Sequence, residues 1–342
     1  MDRDPLVRLG MMPLSTMWRV DSVTGPNGDS PVAESILEHW DHDPLSARFF
    51  RSSANFLHFF YYAGQPYCLR FADGAERTRD GIEAEMDLLC WLDREGVTVT
   101  PPVPSRHGNL VETVGTNWGV FHAVVFPALR GEQREIDDMN TSHFRSWGSA
   151  LGALHSTLRR YTGKSRWGRG TWKDQLDVVR PYLEAHRLIV REEHERIRAL
   201  LQSLPTDREV FGLIHADFEL DNLLWTDRTV GILDFDDCVH SWYVADIALA
   251  LRDLFQESVD LEHPSFQAFV HGYTEHHSID KDMLLHIPIF LRLSRFLTYA
   301  RLTRALDLPA NRTYPEWLAT LQRKLETWMR AYESQLESRR HN

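Results

Sequence analysis

No lysine precedes Lys164 in this chain of 342 residues. Any cation that the first half needs must therefore be arginine or histidine. Cysteine is nearly as scarce: Cys68, Cys90 and Cys238 lie far apart and form no C-x-x-C pair. An odd count without a framework excludes a disulfide scaffold. It fits three ordinary thiols in a reducing compartment, so a cytoplasmic location is expected. No stretch reaches about 18 uninterrupted apolar residues, which argues against a membrane-spanning helix. The opening "MDRDPLVRLGMMPLSTMWRV" is broken by charge and proline and lacks the apolar centre of a secretory leader. Internal repeats and low-complexity tracts are missing too. Basic residues are outnumbered, 38 Lys+Arg against 49 Asp+Glu, and the net charge of -11 disfavours nucleic acid or an anionic membrane as a partner.

What is there describes a folded globular chain, 43% hydrophobic and 25% charged, long enough for two lobes. Residues 1–30 read as an irregular lead-in, and "PVAESILEHW" as a helix with Ile36, Leu37 and Trp40 on one face. "ARFFRSS", "FLHFFYYAG" and "QPYCLRFA" read as three strands separated by turn signals. In "RDGIEAEMDLLCWLDREG", Ile82, Met86, Leu89 and Leu92 recur at helical spacing, and Gly96 ends the helix. Two more strands, "NLVETV" and "WGVFHAVVFPAL", follow a proline-rich connector. Beyond "RGE" the pattern turns helical, with Pro181 interrupting a long segment. The expected fold is α+β: a lead-in and helix over 1–45, a small β-rich lobe over 46–130, and a larger helical lobe over 131–342 that contains one β-hairpin.

The densest chemistry lies in "LIHADFELDNLLW", which begins at Leu213, and "GILDFDD", which begins at Gly231. A hairpin around "TDRT" brings its ends together, so Asn222 before the first strand lies near Asp234 after the second. An amide carbonyl and a carboxylate converging there suit a hard cation such as Mg2+, which wants oxygen ligands and a phosphate partner. Asp217, five residues before Asn222, is then within reach of a metal-bound phosphate and suits a group that takes a proton from an attacking hydroxyl. Taken singly, each of these residues reads equally well as a turn or helix cap. The ordered set does not.

His215, Asp217 and Asn222 spell H-x-D-x-x-x-x-N, followed by an apolar strand that ends in Asp234. With "HAD" for H-R-D and "DFD" for D-F-G, the segment resembles the aminoglycoside phosphotransferase and choline kinase branch of the protein-kinase-like fold, the broad phosphotransferase enzyme family. "VADIALALRDL" is similar to that family's Asp-hydrophobic-Ala helix start, matched by Asp246, Ile247 and Ala248. The resemblance implies a two-lobed kinase-like fold, ATP and Mg2+ as cofactors, and transfer of the γ-phosphate to a small-molecule hydroxyl. It implies Asp217 as base, Asn222 and Asp234 as metal ligands, and Asp236 as an assisting group. His215 would brace the loop by hydrogen bonds.

The same likeness directs attention to the first lobe. "RSSAN" stands where the kinase fold has its glycine-rich loop but contains no glycine; Ser52, Ser53 and Asn55 offer hydroxyl, amide and backbone donors instead. Arg70 on the third strand occupies the place of the kinase lysine, with Glu85 on the next helix as its best partner and Glu83 as the alternative. Adenine is expected against the backbone near Phe126 and Ala128. Asp221, Asp236 and Asp237, with the net charge, would suit an amine-bearing acceptor.

Rival patterns fit less well. "GILDFDDC" mimics a phosphatase with Asp234 as nucleophile and Asp236 as acid, but Cys238 stands where Thr or Val belongs and helices follow. "TGKS" lacks the first glycine of a Walker loop, since Leu158 fills that place. His271, Glu275 and His276 match no zinc-protease spacing and read as a solvated helix end. A protein Ser/Thr kinase would need a longer segment than "FDDCVHSWYVA" between Asp234 and Asp246. A non-catalytic nucleotide-binding module would not be expected to keep Asp217, Asn222 and Asp234 together.

Overall fold

The structure, a computed structural model, describes residues 11–163, 170–183, 188–255, 258–309 and 312–340. The lead-in is not irregular throughout. Helix α1, Leu14–Asp21, forms because Leu14, Met17 and Val20 share one buried face. Helix α2, Pro31–Leu37, starts on Ser30, whose hydroxyl accepts the Ala33 N–H, with Pro31 at the first helical position.

Five antiparallel strands follow, β1 Arg48–Ser52, β2 Phe56–Tyr62, β3 Gln65–Asp73, β4 Glu112–Thr116 and β5 Gly119–Pro127, in the order β1-β2-β3-β5-β4. Helix α3, Arg79–Arg94, connects β3 to β4. Strand alternation gives the sheet two different faces. Phe56, Phe60, Leu69, Phe71, Phe121, Ala123 and Val125 pack with α1 and α2. Residues of opposite parity, including Val124, join the apolar stripe of α3, and Arg70 pairs in register with Val124.

Beyond Pro127 the chain becomes helical, with α4 Thr141–Leu158, α5 Trp172–Leu183 and α6 Leu188–Gln202. The interruption expected at Pro181 falls in the last turn of α5, and residues 184–187 lie outside the described set, as does "TGKS" from Lys164 onward. Strand β6, Phe211–Ile214, then pairs antiparallel with β9, Val239–Trp242, and encloses the hairpin of β7, Leu223–Trp225, and β8, Val230–Ile232. The sequence patterns point only to the hairpin. Among the described residues five helices follow: α7 Tyr243–Ala250, α8 Pro264–Thr274, the one-turn α9 Lys281–Leu284, α10 Ile287–Ala305 and α11 Glu316–Arg340. The protein is thus a two-lobed α+β fold.

Two features tie the second lobe together and to the first. A Cβ on Gly148 of α4 would collide with the Phe269 carbonyl of α8, so glycine lets the two backbones touch. Leu302, Ala305, Leu318 and Leu325 of α10 and α11 join the same cluster as α1 and the sheet. No helix among the described residues is long and apolar enough to cross a membrane.

Candidate active site

Strand β6 delivers His215 into a fully buried position. Its side chain is used at both nitrogens: Nδ1 accepts the Asp217 N–H at 3.2 Å, which leaves Nε2 to donate to the Leu233 carbonyl at 3.0 Å. Burial holds the imidazole below its usual pKa, so the ring stays neutral in this role. Ala216 adopts a left-handed backbone, φ 65°. The strain is held by Asp246 at the start of α7, which accepts the N–H groups of His215 and Ala216.

Asp217 points from this loop beside Asn222. The Asn222 Nδ2 donates to the Asp217 carbonyl at 2.9 Å and to its carboxylate at 2.7 Å. The Leu233 N–H donates to the Asn222 carbonyl at 2.9 Å, so the chain just before Asp234 is fastened to the end of the His215–Asn222 loop. Burial, reinforced by neighbouring Asp237, pushes the Asp217 carboxyl above the ordinary aspartate range.

Asp234 also has a left-handed backbone, φ 55°. Burial pushes its carboxyl up to about 7; Arg70 opposes the push, and Asp236, Glu85 and Asp217 add to it. Its side chain remains 41% accessible, so water in the open cleft screens part of this effect. Arg70 lies 3.7 Å from Asp234 and grips Glu85 with two bonds of 2.8 and 2.7 Å. The Phe126 ring lies 5.3 Å from the same guanidinium. Glu83, the alternative partner, pairs with Arg79 instead. With Glu85, Asp234 and Asp236 around Arg70, the cleft is rich in carboxylate oxygen, and Asp234 with the Asn222 amide offers the oxygen donors that a hard divalent cation takes.

Other sequence-derived residues are already engaged. The Ser52 hydroxyl donates to Asp21 at the end of α1, and the Ser53 carbonyl accepts the Met12 N–H. Asn55 Nδ2 lies 3.3 Å from Asp236, which also accepts from Arg77 at 2.6 Å. The Ala128 N–H is bound to the Pro66 carbonyl at 3.1 Å. The surplus of negative charge is also smaller than expected: Arg77 balances Asp236, Arg301 balances Asp237 and Arg252 balances Glu219. The histidine-rich end of α8 is only partly solvated, since His277 is buried against Tyr273.

Arg77, Arg301, His155 and Asp21 escaped sequence reading. Each meets its partner from a distant element, and nothing local distinguishes it from a surface charge.

A small β-lobe with a buried Arg–Glu pair, set over the loop of Asp217 and Asn222 and over Asp234 at the far end of the β7–β8 hairpin, defines a kinase-like phosphotransferase. The chain belongs to the phosphotransferase enzyme family, whose sequence model matches residues 46–280. It is 28% identical over 290 residues to an amicoumacin kinase of Bacillus subtilis (strain 168), covering 82% of this chain and 86% of that protein. Among solved structures it is similar to an amicoumacin kinase in complex with AMP-PNP, Ca2+ and Ami, with TM-score 0.72 and 25% identity over 87% of this chain and 92% of that one. It is also similar to a microcompartment-associated aminopropanol kinase, with TM-score 0.69 and 25% identity over 90% and 97%. At this level the protein is an ATP-dependent phosphotransferase with a small-molecule hydroxyl acceptor.

Proposed function

We propose that the protein moves the γ-phosphate of ATP to a hydroxyl of a small amine-bearing molecule, with Asp217 as the base. The observation that carries this is the double bond set from Asn222 to Asp217, joined through Leu233 to Asp234. It presents a base and a metal-binding carboxylate side by side on one rigid support.

Asp217 accepts the acceptor's hydroxyl proton as the new O–P bond forms and the bond to the departing ADP oxygen breaks. Its raised pKa makes it a better proton acceptor than an ordinary aspartate. Asn222 and Asp234, assisted by Asp236, would hold Mg2+, which when bound offsets charge on the phosphates. Arg70 neutralises phosphate charge and is kept in place by Glu85. His215 only braces the loop, because both of its nitrogens are spent. The backbone of Ser52, Ser53 and Asn55 would cover the phosphates, and adenine would lie by Phe126 and the linker after Pro127. In this reading residues 46–130 bind nucleotide and residues 131–342 carry the catalytic loop and the acceptor pocket.

The amine in the acceptor is supported by the likeness to an aminopropanol kinase, an enzyme named for an amino alcohol. Charge alone supports it less, since Asp236 and Asp237 are paired with arginines. The test is ADP release with Mg2+ over aminopropanol, homoserine, choline, aminoglycosides and amicoumacin. Stimulation confined to amino alcohols or their larger relatives supports the reading. Stimulation by a protein substrate and by none of these contradicts it.

A further inference from the structure

A second cluster of metal-binding side chains stands apart from the cleft. The turn after α2 is held against the loop before β4: the Trp40 indole donates to the Val103 carbonyl at 3.1 Å, and the Arg106 N–H to the His39 carbonyl at 2.9 Å. The Arg106 guanidinium adds bonds to the Glu38 carbonyl and to Asp41. These contacts bring His39, His107 and Glu112 together, with one ligand atom from each lying within 4.8 Å of the others.

The three groups are individually prepared. Glu112, the first residue of β4, is almost wholly buried, and its Oε1 takes bonds from Ser105, Asn109 and His107. The rings of His39 and His107 meet edge to face, centroids 5.3 Å apart. The Nδ1 of His39 is buried and has no hydrogen-bond partner among the described residues. A buried polar atom left unpaired is unfavourable, and a cation or a water would satisfy it.

We propose that His39, His107 and Glu112 form a site for a borderline divalent transition ion, Zn2+ foremost, which clips the turn after α2 to the edge strand β4. Two imidazoles and one carboxylate, with water completing the shell, suit zinc rather than the all-oxygen ion of a phosphate cleft. Tetrahedral ligands of zinc stand about 3.3 Å apart. His107 Nδ1 and Glu112 Oε1 already lie at 3.2 Å, joined by a hydrogen bond whose proton a bound cation would displace, and the His107 side chain is 60% exposed, which leaves its ring room to turn. The site is separate from the cleft. Glu112 pairs with Ala123 and so projects from the sheet face opposite to Arg70, whose cross-strand neighbour is Val124.

The test is Zn2+ titration of the untagged, chelator-stripped full chain by calorimetry, with Mg2+ in large excess. The wild type should bind one Zn2+ at this site and gain thermal stability, and Asp234→Asn should bind it equally well. His107→Ala, an exposed change that leaves the fold intact, should weaken binding by about 100-fold or more, and Glu112→Gln likewise. No uptake by the wild type would overturn the proposal. Equal uptake by His107→Ala would do so too, by marking the binding as adventitious.

Discussion

The Asp246 carboxylate accepts the Ala216 N–H at 2.6 Å, and its other oxygen accepts the His215 N–H at 2.7 Å. It is wholly buried, and its remaining partner is His155 Nε2 at 2.9 Å, a ring bonded in turn to Tyr273. A buried charge is thus balanced by oriented N–H groups rather than by an arginine. The same bonds hold the left-handed Ala216, on which the direction of Asp217 depends.

Asp246→Ala should therefore disturb both stability and turnover. Two N–H groups and His155 lose their acceptor, which should lower stability by about 3 kcal/mol. Turnover should fall at least about 100-fold, because a base displaced by one ångström loses most of its effect. Urea unfolding and acceptor-dependent ADP release check this; a wild-type rate in a folded variant would contradict it.

Arg70 is gripped at two points by Glu85, a geometry that lysine cannot reproduce. Arg70→Lys should keep the fold and raise KM for ATP by roughly 10-fold, the equivalent of about one lost charge-assisted bond. Arg70→Ala should go further and destabilise the first lobe by about 3 kcal/mol, since it leaves Glu85 buried without its cation. Steady-state kinetics and melting curves separate the two effects.

Asp21 gives a pH dependence of defined sign. Burial raises its carboxyl to about 6, against a partly compensating bond from Ser52, and its Oδ1 has no hydrogen-bond partner among the described residues. A carboxyl whose folded pKa is raised favours the folded state below pH 3.8, and that advantage is lost as pH rises through about 6. Above this window the charged Asp21 works against folding. Asp21→Asn should therefore stabilise the protein at pH 8 by about 1–3 kcal/mol and have little effect near pH 4. Melting temperatures at the two pH values provide the check, and a loss of stability at pH 8 would contradict it.

The close approach of α4 and α8 yields a packing prediction. Gly148→Ala would drive a methyl group into the Phe269 carbonyl, so the helices must part, at a cost of about 1–3 kcal/mol. An unchanged denaturation midpoint would show that the backbones do not touch.

The two lobes and the spacing from His215 to Asn222 were legible because both are local. Strand alternation, turn residues and an eight-residue motif are written in consecutive positions. The pairing of β6 with β9 was not, since its partners are separated by the whole hairpin and each strand has only four residues. Helix α1 was masked by the glycine, proline and serine that follow it, although Leu14, Met17 and Val20 carried the periodic signal. Charge pairing was the least legible layer. Asp236 and Asp237 read as surplus acid in sequence, yet Arg77 from the turn before α3 and Arg301 from α10 lie against them. The Pro66–Ala128 bond likewise required the register of two strands.

The central claim is that Asp217 is the base and not a binding group. It is tested most directly by Asp217→Asn, which keeps the size of the side chain and removes its proton-accepting carboxylate. ATP affinity, read by calorimetry with Mg2+, should stay within about twofold of wild type, while phosphoryl transfer to the stimulating acceptor should fall by at least about 100-fold. Transfer at the wild-type rate, or a parallel loss of ATP binding, would contradict the assignment.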